Sequence, residues 1–429
     1  MASRRGLLWV VLAALLTPGC SRSRPNIVLI VVDTLRRDHL PFYGYDKPTA
    51  PFLASLADRG SVFENAYSTS AWTAPATASL FTGLYARQHG VVTGRFAVKK
   101  LRKEGVAMRL NRIPGPAQTI PELLKAAGYS TFAVVQNSNI RPELGFDAGF
   151  DLFLPLNPAK EADVITAKLR EIQGRIAKAR PYFLYLHYMD PHEPYARNRA
   201  FFDKRAQGDA RRISAYDSEI HHADAHIRQA FEALAWNRDT LLVLTADHGE
   251  ELGERGFWGH ARSLYGETLN VPLLAFGPGV RAQRLRERVS HVDVLPTLLE
   301  GARTPAAADA AGLSLWPLIG GRATSLPERT LFADFWRAPE GRPELQQRAA
   351  IRGPWKRLDG EAGGPYLFNL DLDPAERTNR IGVAPDMAED LRRSAQRFDA
   401  SARRFEPEYA ETLQDEKTNE ELRALGYVN

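Results

Sequence analysis

The sequence predicts a mixed α/β fold, with helices on both faces of a mostly parallel central sheet and a small α+β subdomain at the C-terminus. The strongest sign is residues 26–32 (NIVLIVV), an unbroken apolar and β-branched run typical of a strand buried on both faces of such a sheet. A second sign is that apolar strand patterns alternate with helical patterns. The further predicted strands are 131–135, 182–186 and 241–244, and the predicted helices are 120–127, 162–177 and 215–234.

Residues 1–20 are predicted to be a lipoprotein-type signal peptide. Arg4 and Arg5 precede an apolar stretch at 6–16 that is short for a membrane span, and Cys20, the single cysteine of the chain, follows a small residue. We expect an exported protein that is anchored to the membrane of a bacterial cell envelope by lipid on Cys20. A soluble secreted protein and an uncleaved anchor stay open as alternatives. With one cysteine, no intrachain disulfide can form.

The composition is that of a globular protein. Hydrophobic residues make up 44% and charged residues 25% of the 429-residue chain, which excludes a disordered chain and a multispan membrane protein. The net charge of +5 is modest, so we expect no nucleic-acid partner.

Two domains are expected after the leader. The main α/β domain is predicted to span 25–326, and 327–429 to form the C-terminal subdomain. In the subdomain, 352–358 and 366–370 have the pattern of short strands, and 387–398 that of a closing helix.

Two acidic residues follow predicted strands of the main domain, Asp33 after 26–32 and Asp247 after 241–244. Ligand-binding groups of doubly wound sheets lie at the carboxyl ends of strands, so the two carboxylates should be neighbours there. With His248 they offer oxygen and nitrogen ligands that suit calcium, magnesium, manganese or zinc. The structural alternative is that Asp33 caps a helix and that Asp247 and His248 only organise a turn.

Thr73 is the third candidate. Pro75 begins a helix-compatible stretch and places Thr73 at or just before a helix N-terminus, where free amide groups favour an anion. Its role as a simple N-cap is an open alternative. A threonine hydroxyl becomes a nucleophile only when a base or a metal lowers its pKa.

The chain resembles the sulfatases of the alkaline phosphatase superfamily from Pro25 to Ile381. The matching segments, in order, are 25–36, 51–60, 82–90, 126–129, 190–195, 245–250, 259–260, 271–272, 293–297 and 370–376. The resemblance implies the alkaline phosphatase and sulfatase fold, with a catalytic domain at 25–326. It also implies that Asp33, Asp247 and His248 bind the metal, that Thr73 is the nucleophile, and that His192 and His260 contact the anionic group or the leaving oxygen. For His187, a core or supporting position is the favoured interpretation, because it ends an apolar strand.

The chain departs from the sulfatase pattern at the nucleophile. Sulfatases carry Cys-x-Pro-x-Arg or Ser-x-Pro-x-Arg and oxidise the first residue to formylglycine, whereas this chain has Thr73-Ala-Pro75-Ala-Thr77. No formylglycine is therefore expected. Thr34 replaces a carboxylate, and Thr77 replaces the arginine that supports the nucleophile. Threonine is the nucleophile in similar superfamily branches, such as nucleotide pyrophosphatases, lipoteichoic acid synthases and phosphoethanolamine transferases.

The resemblance and its departures predict a metal-dependent hydrolase or transferase that acts on an anionic ester. A phosphoester is favoured, cleaved through a covalent intermediate on Thr73, and the substrate is expected to be a small molecule or a glycan- or lipid-linked ester. Two alternatives stay open, a sulfuric ester hydrolase and a noncatalytic protein that kept the metal site.

Overall fold

The structure is a computed structural model that describes residues 23–94, 109–158, 161–195, 200–236, 239–337 and 344–411. The predicted signal peptide and Cys20 lie outside the described residues, so they stay predictions. Within the described ranges, none of the helices combines the length and the hydrophobicity needed to cross a bilayer.

The strands are numbered in chain order. They are β1 (Asn26–Val32), β2 (Ser61–Tyr67), β3 (Arg109–Arg112), β4 (Ser130–Val135), β5 (Leu152–Pro155), β6 (Tyr182–Tyr188), β7 (Thr240–Thr245), β8 (Glu251–Leu252), β9 (Trp258–Gly259), β10 (Asn270–Phe276), β11 (Gln283–Ser290), β12 (Leu331–Arg337), β13 (Glu344–Arg352), β14 (Trp355–Asp359), β15 (Tyr366–Asn369) and β16 (Glu408–Glu411).

The α-helices follow the same order. They are α1 (Pro51–Ala57), α2 (Thr73–Thr82), α3 (Ala86–His89), α4 (Ile120–Ala126), α5 (Asp163–Lys178), α6 (Gly208–Ala233), α7 (Gly266–Leu269), α8 (Val294–Gly301), α9 (Trp316–Ile319) and α10 (Pro385–Ser401). Short 3-10 helices occupy Arg37–His39, Pro41–Tyr43, Pro142–Leu144 and His291–Asp293.

Eight strands form the central sheet, in the order β11-β2-β10-β7-β1-β6-β4-β5. Neighbours pair in parallel except β10, which runs antiparallel to both β2 and β7. Every residue of β1 is buried, as its apolar sequence requires at the centre of a sheet covered on both faces. The predicted mixed α/β fold with a mostly parallel sheet is confirmed.

Two groups of helices pack on this sheet. In one group α6 contacts α5 and α1, and in the other α8 contacts α2 and α4. Both groups reach β4, through α5 and α4 respectively. Because α2 lies inside the second group, every one of its residues is buried. The helix that begins at Thr73 is therefore held on all sides by the core.

The C-terminal part adds a four-stranded antiparallel sheet, β12-β13-β14-β15, covered by α10. The predicted small α+β unit is thus present. The strand predicted at 352–358 is present as β14 from Trp355 onward, but its predicted start was wrong, because Gly353 adopts a left-handed φ of 51° in a turn that separates β13 from β14. The backbone of β12 also reaches the main domain, since the Asp334 N–H donates to the carbonyl of Thr69 at 3.0 Å.

Candidate active site

The site begins at the carboxyl ends of β1 and β7, which are parallel neighbours in the centre of the sheet. Asp33 directly follows β1, and Asp247 lies two residues beyond β7. Both side chains are fully buried. The expectation that these two carboxylates are brought together is met, because the two strands run side by side and end at the same edge.

Each carboxylate has one oxygen held by the protein and one that is not. Asp33 Oδ2 accepts a hydrogen bond from Asn137 Nδ2 at 2.6 Å, and Asp247 Oδ1 accepts the backbone N–H groups of His248 at 2.9 Å and Thr34 at 3.3 Å. Asp33 Oδ1 and Asp247 Oδ2 have no hydrogen-bond partner within the described ranges. Buried oxygens of this kind are costly unless a cation or a donor reaches them.

The two carboxylates oppose each other electrostatically. Burial and then the charge of Asp33 raise the pKa of Asp247 well above its usual value. Burial alone would raise the pKa of Asp33 as well, but a hydrogen bond from His187 and the nearby rings of His192 and His248 bring that pKa below its usual value. A bound cation would remove the repulsion.

Imidazole nitrogens lie next to the two carboxylates and add possible metal ligands. His248 Nδ1 lies 2.9 Å from the carbonyl of Gly249, which can only accept, so Nδ1 carries the proton and Nε2 keeps its lone pair. That Nε2 lies 3.6 Å from Asp33 Oδ1 and 3.5 Å from Asp247 Oδ2. Burial, followed by the neighbouring His260, lowers the pKa of His248 to about 3, so it is neutral at pH 7.

His187 is a further possible ligand, although the sequence favoured a core position. One ligand atom each from Asp33, His187 and Asp247 lies within 4.8 Å of the other two. His187 Nε2 is 3.3 Å from Asp33 Oδ2, and its Nδ1 is 2.9 Å from the Tyr185 hydroxyl. Because the two unsatisfied carboxylate oxygens and the imidazole nitrogens converge, these residues fit a divalent cation.

Thr73 is the first residue of α2, and its Oγ1 lies 3.4 Å from His248 Nε2. The N-cap position belongs to Trp72, and no side-chain capping hydrogen bond is formed there. The alternative that Thr73 is merely a helix cap is therefore not what the structure shows. Its hydroxyl instead points toward the imidazole beside the two carboxylates.

His260 and His192 lie next to this group. The His260 ring centroid is 4.6 Å from that of His248 and 4.9 Å from that of His192. His260 Nδ1 is 2.9 Å from Glu250 Oε1. Burial would lower the pKa of His260, but the charge and hydrogen bond of Glu250 outweigh it and raise the pKa above its usual value. His260 is thus suited to donate a proton.

The pKa of His192 is shifted in the opposite direction to that of His260. Its Nδ1 faces the carbonyl of Glu193, which fixes the proton on that nitrogen. Burial is the largest influence and lowers the pKa of His192, which favours the neutral ring. A neutral His192 accepts a hydrogen bond at Nε2, so its predicted contact with an anion requires a proton or a bridging donor.

Sequence reasoning did not place Asn137 or the carboxylate of Glu250 in the site. Asn137 lies two residues beyond the end of β4. The rule that ligand-binding groups lie at the carboxyl ends of strands, which identified Asp33 and Asp247, could therefore have identified Asn137 as well. Glu250 was visible only as part of a motif, and its contact with His260 depends on how the chain from Glu251 to Gly259 folds back as the pair β8 and β9.

The chain is similar to known sulfatases and, in fold, to a phosphonate monoester hydrolase. A family model described as Sulfatase matches residues 25–303. Arylsulfatase K of Gallus gallus is 27% identical over 90% of this chain and 85% of its own length. A solved 2-O GAG sulfatase has a TM-score of 0.73 at 18% identity and covers 90% of this chain and 95% of its own. A phosphonate monoester hydrolase of Silicibacter pomeroyi has a TM-score of 0.72 at 18% identity, covering 88% and 96%.

Proposed function

Because this chain belongs to the sulfatase family of the alkaline phosphatase superfamily, we propose that it is a metal-dependent ester hydrolase that forms a covalent intermediate on Thr73 and prefers phosphoesters. The observation that carries this proposal is the position of Thr73. Thr73 is the first residue of a helix in which every residue is buried, and its hydroxyl oxygen lies 3.4 Å from His248 Nε2, beside two buried carboxylates.

The identity of the nucleophile favours phosphorus over sulfur. A formylglycine hydrate releases bound sulfate by re-forming its carbonyl, and a threonine sulfate has no such exit. A threonine phosphoester can be resolved by a second in-line attack at phosphorus, because metal and anion-binding groups stabilise that transition state.

In the first step, the Thr73 oxygen, as an alkoxide, bonds to phosphorus while the bond from phosphorus to the ester oxygen breaks. His260 donates its Nε2 proton to the departing oxygen, and Glu250 stabilises the protonated ring before transfer. In the second step, water bonds to phosphorus and gives a proton to His260 Nε2, and the Thr73 oxygen leaves as the alkoxide. Both the threonine and the histidine return to their starting states.

Asp33, Asp247 and His248 would hold the cation, with His187 as a further possible ligand. When bound, a divalent cation supplies positive charge that favours the alkoxide form of Thr73 and offsets the charge of the transferred group. Asn137 fixes Asp33, and the backbone of Thr34 fixes Asp247, so the protein itself orients both carboxylates.

Sulfate ester hydrolysis is the second candidate. The observation in its favour is the name of the relative of this chain in Gallus gallus, which is an arylsulfatase. The phosphonate monoester hydrolase with the same fold supports the preference for a phosphorus ester. We propose a small-molecule, glycan-linked or lipid-linked ester as the substrate, presented to an enzyme anchored at the bacterial cell envelope.

The test is turnover of aryl phosphate, phosphodiester, phosphonate and sulfate esters by wild type, Thr73→Ser and Thr73→Asn. We expect the phosphorus esters to be preferred, Thr73→Ser to keep part of the activity, and Thr73→Asn to bind metal but lose turnover about a thousandfold or more. A folded Thr73→Asn protein with nearly normal turnover would remove Thr73 from the reaction. Turnover of sulfate esters alone would replace the phosphoester assignment with a sulfatase.

A further inference from the structure

His187 is built into the central sheet, near the carboxyl end of β6, between β1 and β4. Its carbonyl accepts the N–H of Gln136 at 3.0 Å, and the carbonyl of the next residue, Tyr188, accepts that of Asp33 at 2.9 Å. The side chain is fully buried, and its Nε2 lies 3.3 Å from Asp33 Oδ2. Because two neighbouring strands fix its backbone, the ring is a rigid part of the site.

Two hydroxyl groups lie behind this ring. Tyr185 comes two residues before His187 on β6, so both side chains stand on the same face of the sheet. The Tyr185 hydroxyl is 2.9 Å from His187 Nδ1, and the Tyr185 ring meets Phe81 of α2 edge-on, with 4.8 Å between the ring centres. Helix α2, which begins at Thr73, therefore covers this face. Thr77, one turn along α2, has a buried hydroxyl near that of Tyr185 and otherwise has no hydrogen-bond partner in the described part of the chain.

The neutral ring of His187 has two possible proton positions, and the Tyr185 hydroxyl is compatible with both. When that hydroxyl donates to Nδ1, the ring proton is on Nε2 and is directed at Asp33. When Nδ1 carries the proton and donates to the Tyr185 oxygen, the hydroxyl proton of Tyr185 turns to the oxygen of Thr77, and Nε2 keeps its lone pair. The second arrangement makes Nε2 a metal ligand, and the number of protons is the same in both.

The second arrangement requires an acceptor at residue 77. The sulfatase pattern has an arginine there, and a guanidinium has five donors and no acceptor, so it could not take the hydroxyl proton of Tyr185. Thr77 can accept it. The departure of this chain from the sulfatase pattern at residue 77 therefore leaves His187 Nε2 available to a cation, and it also removes a positive charge that would repel one.

With His187, the candidate ligands are two imidazoles and two carboxylates. One ligand atom each from Asp33, His187 and Asp247 lies within 4.8 Å of the other two. His248 Nε2 is 3.6 Å from Asp33 Oδ1 and 3.5 Å from Asp247 Oδ2. Calcium and magnesium prefer oxygen ligands, whereas imidazole nitrogen suits zinc.

We propose that His187 is a ligand of the metal and that its imidazole makes the site select zinc over calcium and magnesium. Tyr185 and Thr77 are positioning residues that hold His187 in the tautomer that binds. The inference rests on the proposed function for the metal requirement, but it is independent of which ester is cleaved.

Metal affinities of the chelator-treated protein test this assignment without any catalysis. Calcium is titrated by calorimetry, and zinc is measured by competition with a chelator of known affinity. We expect wild type to bind zinc about a thousandfold or more tightly than calcium. His187→Asn keeps an amide within reach of the Tyr185 hydroxyl but removes Nε2, so it should lose zinc affinity about a hundredfold and calcium affinity less than about threefold.

The positioning residues are tested in the same assay. Tyr185→Phe and Thr77→Val should each weaken zinc binding about tenfold at unchanged calcium affinity, and the double variant should be no worse than either alone, because both act through one ring. Tyr188→Phe is the control. Its hydroxyl is also buried on β6 but has no hydrogen-bond partner within the described ranges, so its zinc affinity should equal that of wild type.

Two results would overturn the proposal: calcium binding as tight as zinc binding in wild type, or zinc affinity of the wild-type value in folded His187→Asn. Additive losses in Tyr185→Phe and Thr77→Val would refute the coupling of their hydroxyls through His187. If zinc selection depends on His187 as expected while all ester substrates stay intact, the proposed function fails and the metal assignment stands.

Discussion

Asp247→Asn should make the metal-free protein more stable and remove its stabilisation by metal. The asparagine Oδ1 can still accept the N–H groups of His248 and Thr34, which bond to Asp247 Oδ1 at 2.9 Å and 3.3 Å. The amide group replaces Oδ2, which has no partner in the described part of the chain. The substitution therefore removes a negative charge and keeps both backbone hydrogen bonds.

The size of the effect follows from the distance between the charges. Ligand oxygens of Asp33 and Asp247 lie within 4.8 Å of each other, and two unit charges at that separation repel by about 3 kcal/mol at the effective dielectric constant that suits protein sites. Because the folded-state pKa of Asp247 is raised, wild type loses stability as the pH rises through that pKa. The advantage of the variant should consequently grow with pH, toward about 3 kcal/mol.

The assay is denaturant unfolding with chelator and then with calcium, magnesium, manganese or zinc. A cation at a hundred times its dissociation constant should stabilise wild type by about 2.7 kcal/mol and the variant far less. Asp224→Asn is the control, because Asp224 accepts the N–H groups of Phe52 and Leu53 and lies outside the metal group. It should lose stability but keep the metal response. A metal-free Asp247→Asn protein less stable than wild type, with its metal response intact, would refute the two-carboxylate site.

Three other perturbations have defined outcomes. Lys356→Met should destabilise the fold by about 3–5 kcal/mol, because it leaves the buried Glu376, which Lys356 Nζ contacts at 2.7 Å, without its cation. In denaturant unfolding, the added substitution Glu376→Gln should recover most of the lost stability, and no recovery would contradict the pairing. Burial lowers the pKa of His89 to about 3, so the free energy of unfolding of wild type should fall by about 2 kcal/mol more than that of His89→Asn between pH 7 and pH 5. Equal pH slopes of the unfolding free energy in the two proteins would disprove this role of His89. Cys20→Ser should move the protein from the membrane fraction to the soluble or unprocessed pool, whereas an unchanged distribution in fractionated cells would count against a lipid anchor.

The sequence was sufficient to predict the sheet centre and the pair of aspartates. The apolar run of β1 reports burial on both faces, and a parallel neighbour places Asp247 beside Asp33 at one edge. The outer strand β11 could not be found in the same way, because its residues 283–290 (QRLRERVS) are largely polar on a partly exposed edge. The pairing of β16 with β3 joins segments that are far apart in the chain, 408–411 and 109–112, which no local pattern reveals.

The second half of the site depends on tertiary folding. His260 was assigned from a motif, but its partner Glu250 and its distance to His248 are set by the pairing of β8 with β9. That Thr73 is not the N-cap likewise required coordinates, because a sequence cannot show that Trp72 takes the capping position. Patterns give the strand ends, whereas the approach of separate loops decides which side chains touch.

The central claim is that Thr73 carries the transferred group, and the most direct measurement is the mass of its peptide during turnover. Enzyme mixed with saturating aryl phosphate is quenched in acid at successive times, digested and examined by high-resolution mass spectrometry. The account predicts a phosphoryl group on Thr73 while product is forming, and none when Thr73→Asn is treated in the same way. An unmodified Thr73 at every quench time during steady product release, or a phosphoryl group on another residue, would contradict it.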